Sequence, residues 1–256
     1  MFMRPALRRS ATGITLCTAL WVAACGGAQQ ETPPAQPVVA SPIDPATAGA
    51  ITGTIRFTGT APAPEPINRS SDPYCEQLGA ATTETVVAGS GSTLQNVFVY
   101  VKDGLGDRAF PVPSTAAVLD QKGCRYVPHV LGIQVGQTLE ILSSDNTLHN
   151  VHAIPEQNRE FNKAHQMAGI KHTHVFSTRE VMVPFKCDVH RWMNAYVGVL
   201  DHPYYSVTGP NGTFELKGLP PGTYTIEAWH EKLGTQTQTV TIGEKQTSDV
   251  EFTFKA

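Results

Sequence analysis

Four residues that bind transition metals occur at compatible positions in this 256-residue sequence. Cys187, His190 and Met193 lie in one short run, C-D-V-H-R-W-M, and His149 precedes them in L-H-N-V-H. The soft sulfur atoms of a thiolate and a thioether, combined with two imidazoles, select copper. A plane of two histidines and one cysteine with a weak axial methionine is the ligand set of mononuclear copper sites that transfer electrons. The residue types therefore predict one such copper site.

The segments around these residues predict strands that bring the ligands together. The run R-E-V-M-V-P-F-K-C is typical of a strand, in which side chains alternate between two faces. That alternation assigns one shared face to Val181, Val183, Phe185 and Cys187. Pro184 interrupts the strand and predicts either an edge position or a bulge. His149 is expected on another strand, which follows a turn at residues 143–146.

The stretch from Tyr126 to Ala153 and the run C-D-V-H-R-W-M resemble the cupredoxins, most of all the plastocyanin and amicyanin branch. The two-residue gap between His190 and Met193 is similar to that of amicyanin. The resemblance implies a role for five residues: equatorial ligands at His149, Cys187 and His190, an axial ligand at Met193, and an outer residue at Asn150 that ties the two ligand-bearing loops together. It also implies that His190 is the ligand on the solvent side, so that acid would release it and raise the midpoint potential.

The sequence leaves other interpretations of these and neighbouring residues open. A degenerate cupredoxin-like domain that binds no metal would carry the same strand pattern. His172 and His174 form an H-x-H pair on one face of a strand, where a second metal site competes with a solvated polar insert. Trp192 is expected to pack over the ligands, with an exposed docking residue as the alternative. Three further histidines next to Pro or Trp are expected to be structural, at His129, His202 and His230.

The N-terminal segment has the features of an export signal. Three arginines come first, at Arg4, Arg8 and Arg9. The apolar stretch 13–24 that follows is too short to span a bilayer. It ends in V-A-A-C, which resembles a bacterial lipobox and implies that Cys25 becomes lipidated; an ordinary signal peptide is the alternative. Gly26, directly after this cysteine, resembles the residue at the same position in lipoproteins that are sorted to the outer membrane. We therefore expect a periplasmic protein that meets the membrane only through a lipid anchor.

The five cysteines of the sequence have different expected fates. Cys17 lies within the expected signal, Cys25 is expected to carry lipid, and Cys187 is expected to bind copper. Cys75 and Cys124 are left, and an oxidising compartment would allow them to form a disulfide. Two separate buried thiols are the alternative, because the sequence does not give the distance between them.

The expected fold class is all-β. After Gly53 nearly every pattern predicts a short strand, rich in β-branched and aromatic residues and bounded by Gly, Pro and Asp. Only residues 156–168 predict a modest helix or an irregular excursion. Many short strands without alternating helices predict a β-sandwich, and the resemblance above implies the Greek-key sandwich of the cupredoxins.

The C-terminal segment resembles a second, smaller β-module. A turn at 210–212 precedes T-F-E-L, and a turn at 219–222 precedes T-Y-T-I-E-A-W-H. This succession resembles the carboxypeptidase regulatory-like, transthyretin-like sandwich, which implies a fold rather than an activity. Its short length predicts packing on the first sandwich with a shared core. The expected organisation is a signal peptide at 1–24, a lipid-anchored disordered linker at 25–50, a cupredoxin-like domain at 51–201 and the regulatory-like module at 202–256.

Composition and motif counts narrow the classes of function. The net charge of −3 and the lack of a basic stripe make nucleic acid an unexpected partner. The leading hypothesis is a periplasmic carrier of single electrons between redox proteins, with one copper as its cofactor. A copper chaperone or store and a metal-free interaction module are the alternatives. An enzyme of the multicopper oxidase or copper nitrite reductase kind is not expected, because one H-x-H pair is too few for its second copper site.

Overall fold

The computed structural model describes residues 42–256, and this part of the chain consists of β-strands with one short helix, α1 at Pro73–Gln77. Among residues 42–256, the structure contains no helix that could span a membrane. In chain order the strands are β1 Gly49–Thr58, β2 Ala88–Gly89, β3 Thr93–Leu94, β4 Phe98–Asp103, β5 Ala117–Gln121, β6 Tyr126–Val127, β7 Val130–Gln134, β8 Thr138–Ser143, β9 His149–Ala153, β10 Phe161–His165, β11 Lys171–Val175, β12 Glu180–Lys186, β13 Asn194–Leu200, β14 Tyr205–Val207, β15 Thr213–Leu219, β16 Gly222–His230, β17 Gly234–Ile242 and β18 Thr247–Lys255. The expected all-β fold class is confirmed.

The strands form four sheets that pack as two sandwiches. Sheet A has the order β15-β1-β3-β2, with β18 joined to β1, and sheet B has the order β14-β4-β16-β17. Sheet C has the order β10-β9-β12-β13-β7, and sheet D has the order β11-β8-β5-β6. Side chains of sheets A and B form one hydrophobic core, and those of sheets C and D form another. A third cluster connects sheet B with sheet C.

Strand β13 shows how the alternation of side chains builds these layers. Ala195, Val197 and Val199 point into the core between sheets C and D. Tyr196 and Leu200 point the other way, into the cluster shared with sheet B. Because successive side chains of a strand face opposite sides, one apolar strand can serve two cores.

Sheets B and C approach each other closely over a pair of glycines. Gly132 of β7 and Gly198 of β13 are cross-strand partners. The ring of Phe98 from sheet B lies over them, so that a Cβ atom on Gly198 would be 2.5 Å from that ring. On Gly132 a Cβ atom would be 2.3 Å from the ring of Tyr205. The two glycines therefore make room for aromatic side chains where the sandwiches meet.

The substitution Gly198→Ala should destabilise the protein by about 1–3 kcal/mol, because a methyl group there overpacks the contact with Phe98. The midpoint of urea unfolding measures this change. Gly209→Ala is the matched control, since a Cβ atom there meets only the Asn211 side chain at 3.9 Å. Equal midpoints for the two variants would contradict the close contact.

Strand pairing differs from the expected division of the chain at residue 202. Strand β1 pairs antiparallel with β15 and parallel with β18, and β4 pairs with β16. The C-terminal strands thus share their sheets with strands that precede residue 104, and the strands β5–β13 lie between these two parts in the sequence. The physical reason is burial: the C-terminal segment alone is too short to cover its own apolar faces.

Two local expectations for sheet C need correction. Residues 156–168 form no helix, because Phe161–His165 is a strand that pairs with β9 from Ala153 to His149. In β12 the register shifts between Glu180 and Val183, and Met182 has a φ of 66°. This bulge turns Val181 toward sheet B, while Val183, Phe185 and Cys187 keep the predicted shared face. The bulge that Pro184 predicted is present two residues earlier, in an interior strand.

Candidate metal centre

The predicted ligands lie where two neighbouring strands of sheet C end. His149 is the first residue of β9, and Cys187 directly follows β12. The loop from Cys187 to Met193 is closed by its own backbone: Cys187 N–H donates to Met193 O at 3.2 Å, and Met193 N–H donates to His190 O at 2.9 Å. The backbone N–H of His190 points at Cys187 Sγ at 3.4 Å. The loop therefore folds back and brings His190 next to Cys187.

Three donor atoms converge at this point. Cys187 Sγ lies 4.0 Å from His149 Nδ1 and 3.9 Å from His190 Nδ1, and the two Nδ1 atoms are 2.9 Å apart. All three side chains are buried, with exposures of 2%, 0% and 1% for the cysteine, His149 and His190. Sequence reasoning predicted these residues, and the structure brings them together.

The spacing of the three atoms fits one metal ion. A triangle with sides of 2.9, 4.0 and 3.9 Å has a circumscribed circle with a radius of about 2.1 Å, close to the usual metal–nitrogen and metal–sulfur bond lengths of about 2.0–2.3 Å. One sulfur and two imidazole nitrogens are also the trigonal donor set of copper electron-transfer sites. The residues present fit copper.

Met193 and Asn150 belong to the two segments that carry the donor cluster, the ligand loop and β9. The Met193 side chain is buried in the same hydrophobic cluster as Cys187, and its role as axial ligand stays a prediction. Asn150 Oδ1 accepts hydrogen bonds from the N–H groups of Asp188 at 2.6 Å and Val189 at 3.4 Å. The N–H of Asn150 points at Cys187 Sγ at 3.5 Å. This side chain thus ties β9 to the ligand loop.

Two carboxylates that sequence reasoning missed contact the ligand histidines. Asp145 Oδ2 is 3.1 Å from His149 Nε2, and Asp72 Oδ2 is 3.0 Å from His190 Nε2. Asp72 is also the N-cap of α1, followed by Pro73 at the first helical position. Asp followed by Pro is a sequence signal for such a helix start, so the start of α1 could have been predicted from the sequence. The contact between Asp72 and the ligand loop could not.

The electrostatics of the metal-free cluster favour a thiolate. Burial alone would raise the pKa of Cys187, but hydrogen bonds with His149, His190 and backbone N–H groups lower it to about 6. Burial alone would lower the pKa of His149, but its hydrogen bonds with Asp145 and Cys187 raise it to about 9. The cysteine therefore needs no proton removed at neutral pH to act as a ligand, and metal binding would displace a proton from His149.

A disulfide holds a covering segment, residues 69–78, over His190. Cys75 and Cys124 are bonded, as expected, with Cα atoms 5.8 Å apart. Cys75 Sγ lies 3.8 Å from His190 Nε2. The Trp192 ring packs on the His190 ring at 4.9 Å and donates a hydrogen bond to Cys124 O at 3.0 Å. The expectation that His190 is the solvent-side ligand is therefore wrong, because the covering segment and Trp192 bury it.

The other histidines lie outside this cluster. His165 Nε2 and His172 Nδ1 are 2.7 Å apart, and His174 packs on Phe161. Within residues 42–256, groups of three close donors from His, Cys, Asp and Glu occur only around His149 and His190. Two of the histidines expected to be structural make contacts across the fold, His129 with Glu231 and His202 with Val101 O. His230 accepts a local hydrogen bond from the N–H of Lys232.

Comparison with known proteins finds matches to parts of the chain. The family model of the carboxypeptidase regulatory-like domain matches residues 193–255. A copper-containing nitrite reductase from Thermus scotoductus is 20% identical over 39% of this chain and 25% of its own, with a TM-score of 0.33. A purple cupredoxin from Nitrosopumilus maritimus is 23% identical over 32% of this chain and 98% of its own, with a TM-score of 0.28. A mutant amicyanin in the Cu(I) state is 18% identical over 40% of this chain and 97% of its own, with a TM-score of 0.31. No curated protein matches the sequence.

Proposed function

We propose that this protein binds one copper ion through His149, Cys187 and His190, with Met193 as axial ligand, and carries single electrons between redox proteins. The observation that carries the proposal is the convergence of one Sγ and two Nδ1 atoms in a buried cluster of the right size for one ion. When bound, copper supplies a one-electron couple that forms and breaks no substrate bond.

The residues around the cluster fit an electron carrier better than an enzyme. The three ligands are buried, and backbone hydrogen bonds fix the loop that holds two of them. A fixed donor set keeps similar geometry in both oxidation states, which lowers the reorganisation that electron transfer requires. Burial of the ligands leaves little room for a substrate at the metal, whereas a catalytic metal site keeps an open position.

A copper chaperone or store is the second candidate, because the same ligands could pass copper to a partner. The covering segment argues against it: a disulfide and Trp192 close the site over His190, and rapid exchange of the metal needs access to a ligand. A metal-free interaction module would not explain why three buried donor atoms converge.

The test is a visible absorption spectrum of the purified, copper-loaded protein, followed by voltammetry and by incubation of the copper protein with a chelator. An electron carrier shows intense thiolate-to-copper colour, a reversible one-electron wave and slow loss of metal. Fast loss of copper to the chelator would favour the chaperone. A colourless protein after full loading would refute copper binding by Cys187.

The burial of His190 predicts a midpoint potential that changes little between mildly acidic and mildly alkaline pH. Release of His190 would require its ring to leave the contacts with Asp72, Cys75 and Trp192. Voltammetry across this range measures the slope. In Trp192→Ala the covering contact is lost, and we expect a rise of the potential toward acid to appear there. A steep slope in the wild-type protein would show that His190 dissociates despite its burial.

The proposed location is the periplasm, with a lipid anchor at Cys25, which lies outside the residues that the structure describes. The proposal rests on the arginines, the short apolar stretch and the V-A-A-C sequence. Cys25→Ala should move the protein from the membrane fraction to the soluble periplasmic fraction, because the anchor is lost. Fractionation followed by immunoblotting measures this. Unchanged membrane retention would contradict the lipid anchor.

A further inference from the structure

Each ligand imidazole lies between the donor cluster and a carboxylate. The Nδ1 atoms of both rings face Cys187, while their Nε2 atoms contact Asp145 and Asp72. An ionised carboxylate accepts hydrogen bonds and cannot donate them, so the ring nitrogen facing it carries the proton. The lone pair of each neutral ring is then on Nδ1, which is the atom that points at the metal position.

From this arrangement we propose that Asp72 and Asp145 are positioning residues of the metal site: they fix the Nε2–H form of both ligand histidines, and their negative charges favour copper(II) over copper(I). The first half of the proposal applies to any metal ion that these donors hold. The second half rests on the proposed copper function.

Asp145 is locked in the orientation that this role requires. Its Oδ1 accepts the N–H of Gly123 and its Oδ2 accepts the N–H of Cys124, each at 2.7 Å. The side chain is 3% exposed. Both partners are N–H donors, which suit an ionised carboxylate. The carboxylate that faces His149 is therefore charged and cannot turn away.

Asp72 is held by a comparable set of contacts from a different part of the chain. Its Oδ1 accepts the N–H groups of Tyr74 at 2.8 Å and Cys75 at 3.1 Å, and its Oδ2 accepts the hydroxyl of Thr147 at 2.5 Å. All three partners are donors, which suit an ionised carboxylate. Thr147 lies between Asp145 and His149 in the sequence, so the two carboxylate contacts are linked through one turn.

The two carboxylates should change both the metal affinity of the site and its midpoint potential. A carboxylate on the outer nitrogen makes an imidazole a stronger donor, and loss of such a partner typically costs 10–100-fold in metal affinity. A fixed negative charge stabilises the ion of higher charge, and the effect is larger in a buried site than in water. Arg69, which is buried, interacts with Asp145 but donates its hydrogen bond to Gly123 O. The two carboxylates should therefore lower the midpoint potential.

The decisive variant is Asp72→Asn, because Asn is as good an N-cap as Asp and α1 can keep its start. Asp145→Asn is the second variant, although its amide group would leave the N–H of Gly123 or Cys124 without an acceptor. Asp201→Asn is the matched control: Asp201 is exposed and contacts Arg179 at 3.6 Å and His202 at 3.9 Å, neither of which is a predicted metal ligand. Circular dichroism and thermal unfolding establish that each variant is folded.

Two measurements test the two halves of the proposal. Zinc(II), a redox-inert probe, should bind Asp72→Asn about 10–100-fold more weakly than wild type, with Asp201→Asn unchanged. In the copper protein, the ratio of copper(I) to copper(II) affinity should rise about tenfold, which raises the midpoint potential by about 59 mV for one electron. The Nε2–H proton resonances of the zinc protein should also move upfield when the carboxylate is lost.

The outcomes separate this proposal from the proposed function. If folded Asp72→Asn binds zinc as tightly as the control and has the same potential, the positioning role is refuted. If zinc affinity falls but the potential does not change, the electrostatic half is refuted. If the wild-type protein binds zinc and the variants weaken it, while copper gives no colour, the proposed function fails and the positioning role stands.

Discussion

Cys187→Ser should abolish the intense visible absorption of the copper-loaded protein. The colour of such sites comes from charge transfer between thiolate sulfur and copper(II), and a hydroxyl oxygen is a harder and weaker donor. Cys187 Sγ is the one thiolate in the cluster, since Cys75 and Cys124 are joined in a disulfide and Cys187 is the free cysteine of the described residues. Titration with copper(II), followed by absorption and electron paramagnetic resonance, measures the loss.

The fold should survive this substitution with a modest cost. Cys187 is buried, and the shorter serine side chain would lengthen the contacts with the N–H groups of Asn150 and His190, which costs about 1–3 kcal/mol. The matched control is His172→Ala, which removes an imidazole outside the cluster and should leave colour and copper stoichiometry unchanged. Colour that persists in folded Cys187→Ser would contradict the assignment of the thiolate. Stoichiometry that falls from two to one in His172→Ala would reveal a second site at the H-x-H pair.

The ligand cluster could be predicted because its information is local. Cys187, His190 and Met193 lie within seven residues, and their residue types limit the choice of metal before any fold is known. His149 lies at the start of a strand, and a strand pattern is readable from alternation. The predicted disulfide between Cys75 and Cys124 also needed only a count of the cysteines left over, together with an expected oxidising compartment.

The contacts around the ligands could not be predicted, because they join distant parts of the chain. Asp72 and His190 are separated by 118 residues, and nothing in the sequence around Asp72 points to a metal site. The burial of His190 depends on the same covering segment. The resemblance to amicyanin implied a solvent-side ligand, and this chain departs from it by a segment that lies far from the matched motifs.

The layout of the sheets was hidden from the sequence for a similar reason. Alternation identifies strands but not their partners, and β1 pairs with β18 across almost the whole described chain. The bulge at Met182 also changes which side chains share a face, although the pattern of residues 181–187 reads as regular alternation. Partner choice depends on the burial of entire faces, which a local pattern does not contain.

Removal of the disulfide in Cys75→Ala/Cys124→Ala should have the largest effect on stability. The bond closes a loop with a sequence separation of 49 residues, and the chain-entropy model gives about 4 kcal/mol for a loop of this length. The midpoint of guanidinium unfolding, measured on the metal-free protein, reports the change. Mass mapping without reduction should find the linked peptide in the wild type, and two alkylatable thiols there would refute the bond.

The same double variant should also loosen the metal site, because Cys75 anchors the segment that carries Asp72. With the anchor lost, Asp72 and the contact of Cys75 with His190 are no longer held over the ligand. Copper should then leave faster to a chelator, and the potential should begin to rise toward acid as His190 gains freedom to dissociate. Cys187→Ser is the control for stability, since it keeps the disulfide. If the double variant unfolds at the wild-type midpoint and retains copper as long, the covering segment is held by its packing and hydrogen bonds alone, and the disulfide contributes nothing to the protection of His190.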